Sequence, residues 1–180
     1  MDGTLNIRDI ELADYERWLP LWHGYNAFYG RRGPTALPAA VTEATWKRFF
    51  DAAEPVHAFV AELDGRLIGL THYLFHRSTT LLAPICYLQD LFTAPDMRRK
   101  GVARALIEAV YRRAGQLGSA RVYWQTHESN VLAQRLYDQL AERSDSSSIA
   151  RTSRECLQLW NQRLAAICAR GGYTLPDLGE

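Results

Sequence analysis

The sequence predicts an α/β domain in which a mixed, mainly antiparallel sheet lies between helices. Three observations support this prediction. Apolar runs of strand length alternate with segments of helical spacing. Two of the runs flank Asp64-Gly65, a dipeptide that favours a two-residue hairpin turn. The chain has 180 residues, 47% of them hydrophobic, which is typical of one globular domain.

The N-terminal half supplies one strand, two helices and the hairpin. Residues 5–10 form a short apolar strand pattern, and a helix is expected from about Asp14. Thr42 has N-cap chemistry and predicts the start of a second helix. The hairpin strands are expected over residues 56–63 and 66–75. The first helix carries its apolar side chains three and four residues apart, and these are expected to form core or cleft wall: Trp18, Leu21, Trp22, Tyr25 and Phe28.

The second half continues with alternating strands and helices. A strongly apolar strand over residues 85–92 precedes a helix over residues 102–117, which Gly118 ends. Another strand is expected over residues 121–126. The last helix presents one apolar face, made of Ala133, Leu136, Tyr137 and Leu140.

Composition excludes several classes of partner. Twenty-one basic and twenty acidic residues give a net charge of +1, so no overall field attracts nucleic acid or an anionic membrane. No apolar run reaches the roughly 18 residues that span a bilayer, and a cytoplasmic location is expected. The three cysteines lack zinc or redox spacing, and Cys86 is interpreted as a buried apolar residue. His72 and His76 lie on a strand without further ligands, so no metal is expected.

The loop before the third helix combines small and basic residues. Gly101 and Ala103 allow close backbone approach, and the first amides of a helix favour an anion such as a pyrophosphate. Arg98, Arg99 and Lys100 add positive charge. Taken alone, the same residues are also typical of a solvated basic turn, and a nucleic-acid site is a weak alternative.

Two motifs in their expected order resemble the GNAT superfamily of acetyl-CoA-dependent N-acetyltransferases. One is Arg98-x-x-Gly101-x-Ala103 after the apolar strand, and the other is Asn130-x-x-Ala133-x-x-Leu136-Tyr137. The resemblance covers residues 5–143 and is closest to the diamine, polyamine and histone-acetylating branch. It implies transfer of an acetyl group from acetyl-CoA to a primary amine of a small molecule or peptide, by direct attack in a ternary complex.

The resemblance also implies roles for individual residues. Backbone amides of the basic loop would hold the CoA pyrophosphate, and the main chain of the strand would bind the pantetheine arm. Tyr137 would protonate the departing thiolate, for which a phenol is suited; a core aromatic on the last helix is the alternative reading. The implied cofactor-binding residues are Leu91, Phe92, Thr93, Arg98, Arg99, Lys100, Gly101, Val102, Ala103 and Asn130.

Acetyl transfer requires a neutral amine, so a base must remove a proton from the ammonium group. Asp90 interrupts an apolar strand and is the best carboxylate candidate, with a structural carboxylate as the alternative. Many relatives in the branch have a glutamate where this chain has Gln89, which cannot act as a base. Glu128 or ordered water could then contribute, and a CoA-binding module without turnover is the alternative function.

Residues 144–180 form an atypical tail after the acetyltransferase domain of residues 1–143. The family places two further strands here, whereas residues 145–153 lack strand alternation. One inserted nucleotide in a suitable coding sequence would restore Asp-Phe-Val-Val-Tyr, so the hypothesis is a frameshifted tail, irregular or loosely helical and without a catalytic group. The C-terminal strands would then be missing or altered, and the exposed edge would favour a homodimer, strand swapping or aggregation.

Overall fold

The computed structural model describes residues 3–119, 121–126, 130–143 and 151–153. No helix in these residues has the length and apolar character needed to cross a membrane. The elements in chain order are β1 (Asn6–Asp9), α1 (Tyr15–Phe28), α2 (Ala39–Arg48), β2 (Val56–Leu63), β3 (Arg66–His76), β4 (Ile85–Thr93), α3 (Val102–Gln116), β5 (Arg121–Tyr123), α4 (Val131–Leu140), β6 (Ala141–Arg143) and β7 (Arg151–Ser153).

The main sheet has five strands in the order β1-β2-β3-β4-β5. Its first three pairings are antiparallel, and only β4 and β5 run parallel, joined through α3. Asp64 and Gly65 form the turn between β2 and β3, both with positive φ, as a tight hairpin turn of the primed type requires. The predicted α/β class and the mixed, mainly antiparallel sheet are confirmed.

Two hydrophobic layers hold the helices against the sheet. The layer under α3 contains Leu106 and Val110, together with Cys86, which is fully buried as predicted. The opposite layer lies under α1 and α2 and centres on Trp18, whose ring stacks on Trp22 at a centroid distance of 5.7 Å. The sheet is therefore covered on both faces.

A β-bulge in β4 changes which face its side chains reach. His72 pairs with Asp90 and Tyr73 pairs with Leu88, so Gln89 is the extra residue. Leu88 packs in the α3 layer, whereas Phe92 packs in the α1 layer. In a regular strand both would share a face with Asp90. The bulge therefore turns Asp90 toward α1.

Two element boundaries differ from the prediction. Helix α2 begins at Ala39, so the predicted N-cap at Thr42 is wrong. Thr42 is instead buried inside the helix, where its hydroxyl accepts a hydrogen bond from the Trp22 indole at 3.3 Å. Strand β5 ends at Tyr123 rather than at Thr126, and its pairing with β4 ends at the same residue, although β4 itself continues to Thr93.

Of the predicted tail, only Arg151–Ser153 lies in the described residues. These three residues pair antiparallel with Ala141–Arg143, which departs from the expected irregular structure because β6 offers an extended partner directly after α4. The rest of the tail lies outside the described residues. The domain division and the frameshift remain predictions, which the gene sequence decides.

A buried carboxylate ties β1 to the start of α1. The Asp14 side chain is fully buried and accepts hydrogen bonds from Arg8 at 2.6 and 2.9 Å and from the Glu11 amide at 2.9 Å, and it also contacts Arg17. Burial by itself raises the pKa of Asp14, but the bonds from Arg8, the Glu11 amide and Arg17 outweigh burial and hold that pKa below its usual range.

We expect Asp14→Asn to lower the free energy of unfolding by about 3 kcal/mol, because it removes the buried charge that Arg8 and Arg17 share and leaves the partly buried Arg8 only its pair with Glu62. The matched control is Asp96→Asn, which removes an exposed pair with Arg66 and should cost at most about 1 kcal/mol. Urea unfolding of both variants measures the difference. Equal losses would contradict this account.

The lowered pKa of Asp14 also determines how stability is expected to depend on pH. A lowered folded-state pKa stabilises the protein above the ordinary carboxyl pKa of about 4, and this contribution is lost as the pH falls through the lower folded-state value. The stability of the wild-type protein should therefore fall more steeply in acid than that of Asp14→Asn, as measured by urea unfolding between neutral and acidic pH.

Candidate active site

The parallel pairing of β4 and β5 is short and opens a cleft. Only Ile85, Cys86 and Tyr87 pair with β5, yet β4 continues to Thr93 along β3. Beyond Tyr87, the edge of β4 that faces β5 has no strand partner in the part of the chain that the structure describes. Backbone donors and acceptors on this edge are therefore available to a ligand.

The cleft has a volume of about 360 Å³ and receives side chains from both layers, because the sheet is open at this point. Asp90 and Lys100 do not line the cleft, but every other described site residue predicted from the sequence does. The lining residues among those predicted are Leu91, Phe92, Thr93, Arg98, Arg99, Gly101, Val102, Ala103, Asn130 and Tyr137.

The basic loop turns its backbone toward the cleft. Arg99 and Gly101 both have positive φ, at 61° and 82°, which bends the chain immediately before α3. The amides from Arg99 to Ala103 have no acceptor among the described residues, as the start of a helix requires. A Cβ on Gly101 would meet no atom within 4 Å, so open space lies beside these amides.

Arg98 connects this loop to the end of β4. Its Nε donates a hydrogen bond to the Thr93 carbonyl oxygen at 3.4 Å, and its guanidinium lies 5.9 Å from the centre of the Phe92 ring. The guanidinium charge is therefore held between the two segments that line the cleft.

Two buried polar atoms on the cleft wall have no partner. Trp124 Nε1 and Thr93 Oγ1 make no hydrogen bond in the described structure, although both residues line the cleft. An unpaired buried donor costs about 1–3 kcal/mol, so a ligand with amide or carbonyl groups would restore what folding leaves unmet. The pantetheine arm of acetyl-CoA carries such groups, and the residues present fit it.

Asn130 and Tyr137 each combine a structural contact with a place on the wall. Asn130 Oδ1 accepts a hydrogen bond from the Ala133 amide at 3.4 Å and caps α4. The Tyr137 ring is 7% exposed and lies 5.2 Å from the Trp124 ring. Tyr137 is therefore a core aromatic that also lines the cleft, and its catalytic role remains a prediction.

Asp90 lies behind the cleft wall rather than on it. The carboxylate is buried, and its Oδ2 lies 2.9 Å from His72 Nδ1. The Trp18 indole donates to His72 Nε2 at 3.1 Å, and an indole can only donate. His72 therefore accepts at Nε2 and carries its hydrogen on Nδ1, where it donates to Asp90.

Tyr25 stands between Asp90 and the cleft. Tyr25 lies near Asp90 and lines the cleft. Burial raises the pKa of Tyr25 far above its usual range, and the nearby charge of Asp90 raises it further. Burial and then Asp90 also raise the pKa of Tyr29, which Arg31 partly offsets. Tyr25 is thus a protonated phenol throughout the ordinary pH range.

The link from Trp18 through His72 to Asp90 was not evident from the sequence, which gave Trp18 only as core or cleft wall. The bulge at Gln89 decides the face on which Asp90 lies, and period-two spacing contains no sign of it. Gln89 itself lines the cleft. Glu128, the other carboxylate considered, lies outside the described residues. No group of three His, Cys, Asp or Glu side chains within the described ranges could hold a metal ion.

Comparisons with known proteins agree with this architecture. Residues 15–141 match the acetyltransferase (GNAT) family. The chain is 38% identical over 148 residues to the D-amino-acid N-acetyltransferase HPA3 of Saccharomyces cerevisiae, covering 81% of this chain and 89% of that protein. It is 32% identical over 145 residues to an uncharacterised N-acetyltransferase of Bacillus subtilis, and the match covers 81% of this chain and 94% of that protein.

Among solved structures, the aminoglycoside N-acetyltransferase AAC(6')-Iy in complex with CoA shares the fold. Its TM-score is 0.65 at 22% identity, covering 77% of this chain and 88% of that one. The fold and the matches define an acyltransferase that uses a CoA thioester. The chain belongs to the GNAT family and is an acetyl-CoA-dependent N-acetyltransferase that acts on amines. The predicted diamine, polyamine and histone branch remains a prediction.

The double role of Asn130 gives a prediction about stability. Asn130→Ala should lower the free energy of unfolding by about 1 kcal/mol, because α4 loses its side-chain cap. Asn130→Asp retains the acceptor oxygen and should be nearly as stable as the wild-type protein. Thermal unfolding without ligand measures both variants, and an equal loss in the two would rule out the cap.

Proposed function

We propose that this enzyme binds acetyl-CoA in the cleft between β4 and β5 and transfers the acetyl group directly to the primary amine of a small molecule. One observation carries the proposal. The unpaired edge of β4, the loop with its free amides, and Thr93 and Trp124, which each carry a buried polar atom without a partner among the described residues, all border one cavity. Each group offers the kind of bond that a different part of CoA requires.

The pyrophosphate would lie on the amides from Arg99 to Ala103, where the helix dipole and the adjacent Arg98 and Lys100 favour negative charge. The pantetheine arm would extend along the open edge of β4 at Leu91, Phe92 and Thr93, and its amides would pair with the main chain as an added strand does. Asn130 and Trp124 supply side-chain donors on the opposite wall.

In the transfer step, the neutral amine attacks the thioester carbonyl. A C–N bond forms, the C–S bond breaks, and Tyr137 gives a proton to the departing thiolate. The nitrogen releases one proton to solvent as the amide forms, and Tyr137 takes a proton back from solvent. The proposal involves a ternary complex rather than an acyl-enzyme on Cys86, which is fully buried in the α3 layer and absent from the described cleft wall.

The acceptor would enter along α1. Phe28 and Tyr29 line the cleft and are half exposed, so they offer an aromatic wall to an aliphatic amine. The yeast relative acts, by its name, on D-amino acids, which supports a small primary amine as acceptor. A panel of amino acids, diamines and a lysine-containing peptide, followed by thiol release from acetyl-CoA, tests this assignment.

Gly101→Glu should abolish acetyl-CoA binding, because it places bulk and negative charge beside the loop amides and strains a position with φ of 82°. Gly33→Glu is the matched control. Gly33 also has positive φ, at 55°, and open space around its Cβ, but it does not border the cleft. Isothermal titration with acetyl-CoA measures both, and unchanged affinity in Gly101→Glu would overturn the pyrophosphate assignment.

Tyr137→Phe should lower kcat by about 100-fold or more, because general-acid help acts only as the thiolate leaves. The dissociation constant of acetyl-CoA should change only several-fold. The control is Tyr111→Phe, since Tyr111 also faces the Trp124 ring but does not line the cleft. Turnover at the wild-type rate in Tyr137→Phe would leave Tyr137 with its core role only.

A further inference from the structure

We propose that Arg31 binds a carboxylate on the acceptor and thereby selects amines that carry a carboxylate over diamines. This inference rests on the proposed function and assigns a specificity-determining residue to the α1 side of the cleft. Arg31 lies shortly after Phe28, the last residue of α1, on the side where the acceptor would enter. It takes no part in the bond changes and only orients the acceptor.

A buried asparagine holds the Arg31 side chain in place. Arg31 Nε donates a hydrogen bond to Asn26 Oδ1 at 2.7 Å, and the Arg31 amide donates to the Asn26 carbonyl oxygen at 2.9 Å. Asn26 is 3% exposed, and its side-chain amide donates to the Trp22 carbonyl oxygen at 2.8 Å. The guanidinium is therefore oriented before a ligand binds, which lowers the entropy that binding costs.

The Arg31 guanidinium lies against two rings of the cleft wall. Its central carbon is 5.9 Å from the centre of the Tyr25 ring and 5.7 Å from the centre of the Tyr29 ring. Both rings line the cleft, and their centres are 5.1 Å apart. Arg31 is half-buried and stands beside the wall rather than in it. A substrate that packs along these rings therefore meets a positive charge at their edge.

The outer nitrogens of this guanidinium are available to a ligand. The bond to Asn26 uses Nε, and neither Nη1 nor Nη2 has a hydrogen-bond partner among the described residues. No carboxylate in the same part of the chain lies within 4 Å of Arg31. Two parallel N–H groups match the two oxygens of a carboxylate. An anionic group on the acceptor would therefore complete the pair.

The described cleft wall offers no counter-charge to a second ammonium group. Asp90 does not line the cleft, and the charged side chains that do, within the described ranges, are all basic: Arg98, Arg99 and Arg104. The Tyr25 and Tyr29 rings would attract an ammonium, but the Arg31 cation already lies over both. A diamine therefore meets repulsion where an amino acid would form an ion pair.

Two neighbouring arginines have different surroundings. Arg98 is bonded to the Thr93 carbonyl oxygen and belongs to the loop assigned to the pyrophosphate. Arg32 is exposed and lines a neighbouring cavity of about 470 Å³, but not the cleft. Arg32 thus carries the same charge as Arg31, one residue away, without bordering the acceptor path. It provides a matched control for effects of net charge.

The test uses three acceptors that share one carbon skeleton. They are an amino acid accepted in the panel, its carboxamide, and the diamine in which an ammonium replaces the carboxylate. The carboxamide keeps the size of the carboxylate but has no charge. Each variant is compared with the wild-type protein on the same acceptor, so differences in basicity among the three reacting amines cancel.

Arg31→Gln should lower kcat/KM for the amino acid by about 10- to 100-fold, mainly through a higher KM, because a charge-assisted bond to the bound acceptor is lost. The change for the carboxamide should stay within several-fold. For the diamine, kcat/KM should rise, and Arg31→Glu should raise it further. Arg31→Lys keeps the charge without the planar fork, so its loss for the amino acid should be smaller than that of Arg31→Gln.

Arg32→Gln changes the net charge by the same amount and should leave all three rates near those of the wild-type protein. Thermal unfolding and acetyl-CoA titration confirm that each variant is folded and loaded. If Arg31→Gln does not fold, the same comparison with Arg31→Lys decides the question.

Inhibition provides a measurement that does not depend on turnover of the probe. The probe is the carboxylic acid with the same skeleton and no amine. It should compete with the amino acid in the wild-type protein, and its inhibition constant should rise by about 10-fold or more in Arg31→Gln but not in Arg32→Gln.

The outcomes separate the two proposals. The role of Arg31 would be overturned by equal losses for the amino acid and the carboxamide in Arg31→Gln, by no loss, or by an equal loss in Arg32→Gln. A wild-type protein that acetylates the diamine but no amino acid would also overturn it. Each of these results leaves the proposed acetyl transfer intact, whereas a wild-type protein that turns over no amine in the panel would overturn both.

Discussion

The functional part of this molecule depends on one constraint, the three-residue length of the ladder between β4 and β5. A strand that continues without a neighbour leaves backbone groups that must find another partner. In this chain, β4 extends to Thr93 while β5 ends at Tyr123, so the sheet opens and side chains from both of its layers reach the same space. An extended ligand with amide groups can pair with the open edge of β4 as a neighbouring strand would.

The two layers contribute different chemistry to the opening. The α3 side supplies the basic loop with its free amides and, through α4, the phenol of Tyr137. The α1 side supplies Tyr25 and, behind it, the buried pair of His72 and Asp90. Under our proposed function the thioester and its leaving group lie toward the α3 side, and the acceptor amine enters along α1.

Two buried carboxylates differ in the partners that surround them. Asp14 is bound by Arg8 and Arg17, which fix the start of α1, whereas Asp90 Oδ2 lies 2.9 Å from His72 Nδ1. The first carboxylate stabilises the fold, and the second lies on β4 between two residues, Gln89 and Leu91, that line the cleft.

The sequence alone determined the α/β class, the hairpin at Asp64-Gly65, the glycine-containing basic loop before α3 and the helical face that carries Tyr137. These features depend on residues close together in the chain, where periodicity and turn chemistry are decisive. Only the tertiary structure decided that Thr42 lies inside α2, that Gln89 is a bulge, and that His72 lies between Trp18 and Asp90 and bonds to both. Such contacts join residues far apart in the chain, and one inserted residue in a strand reverses its faces without altering the local pattern.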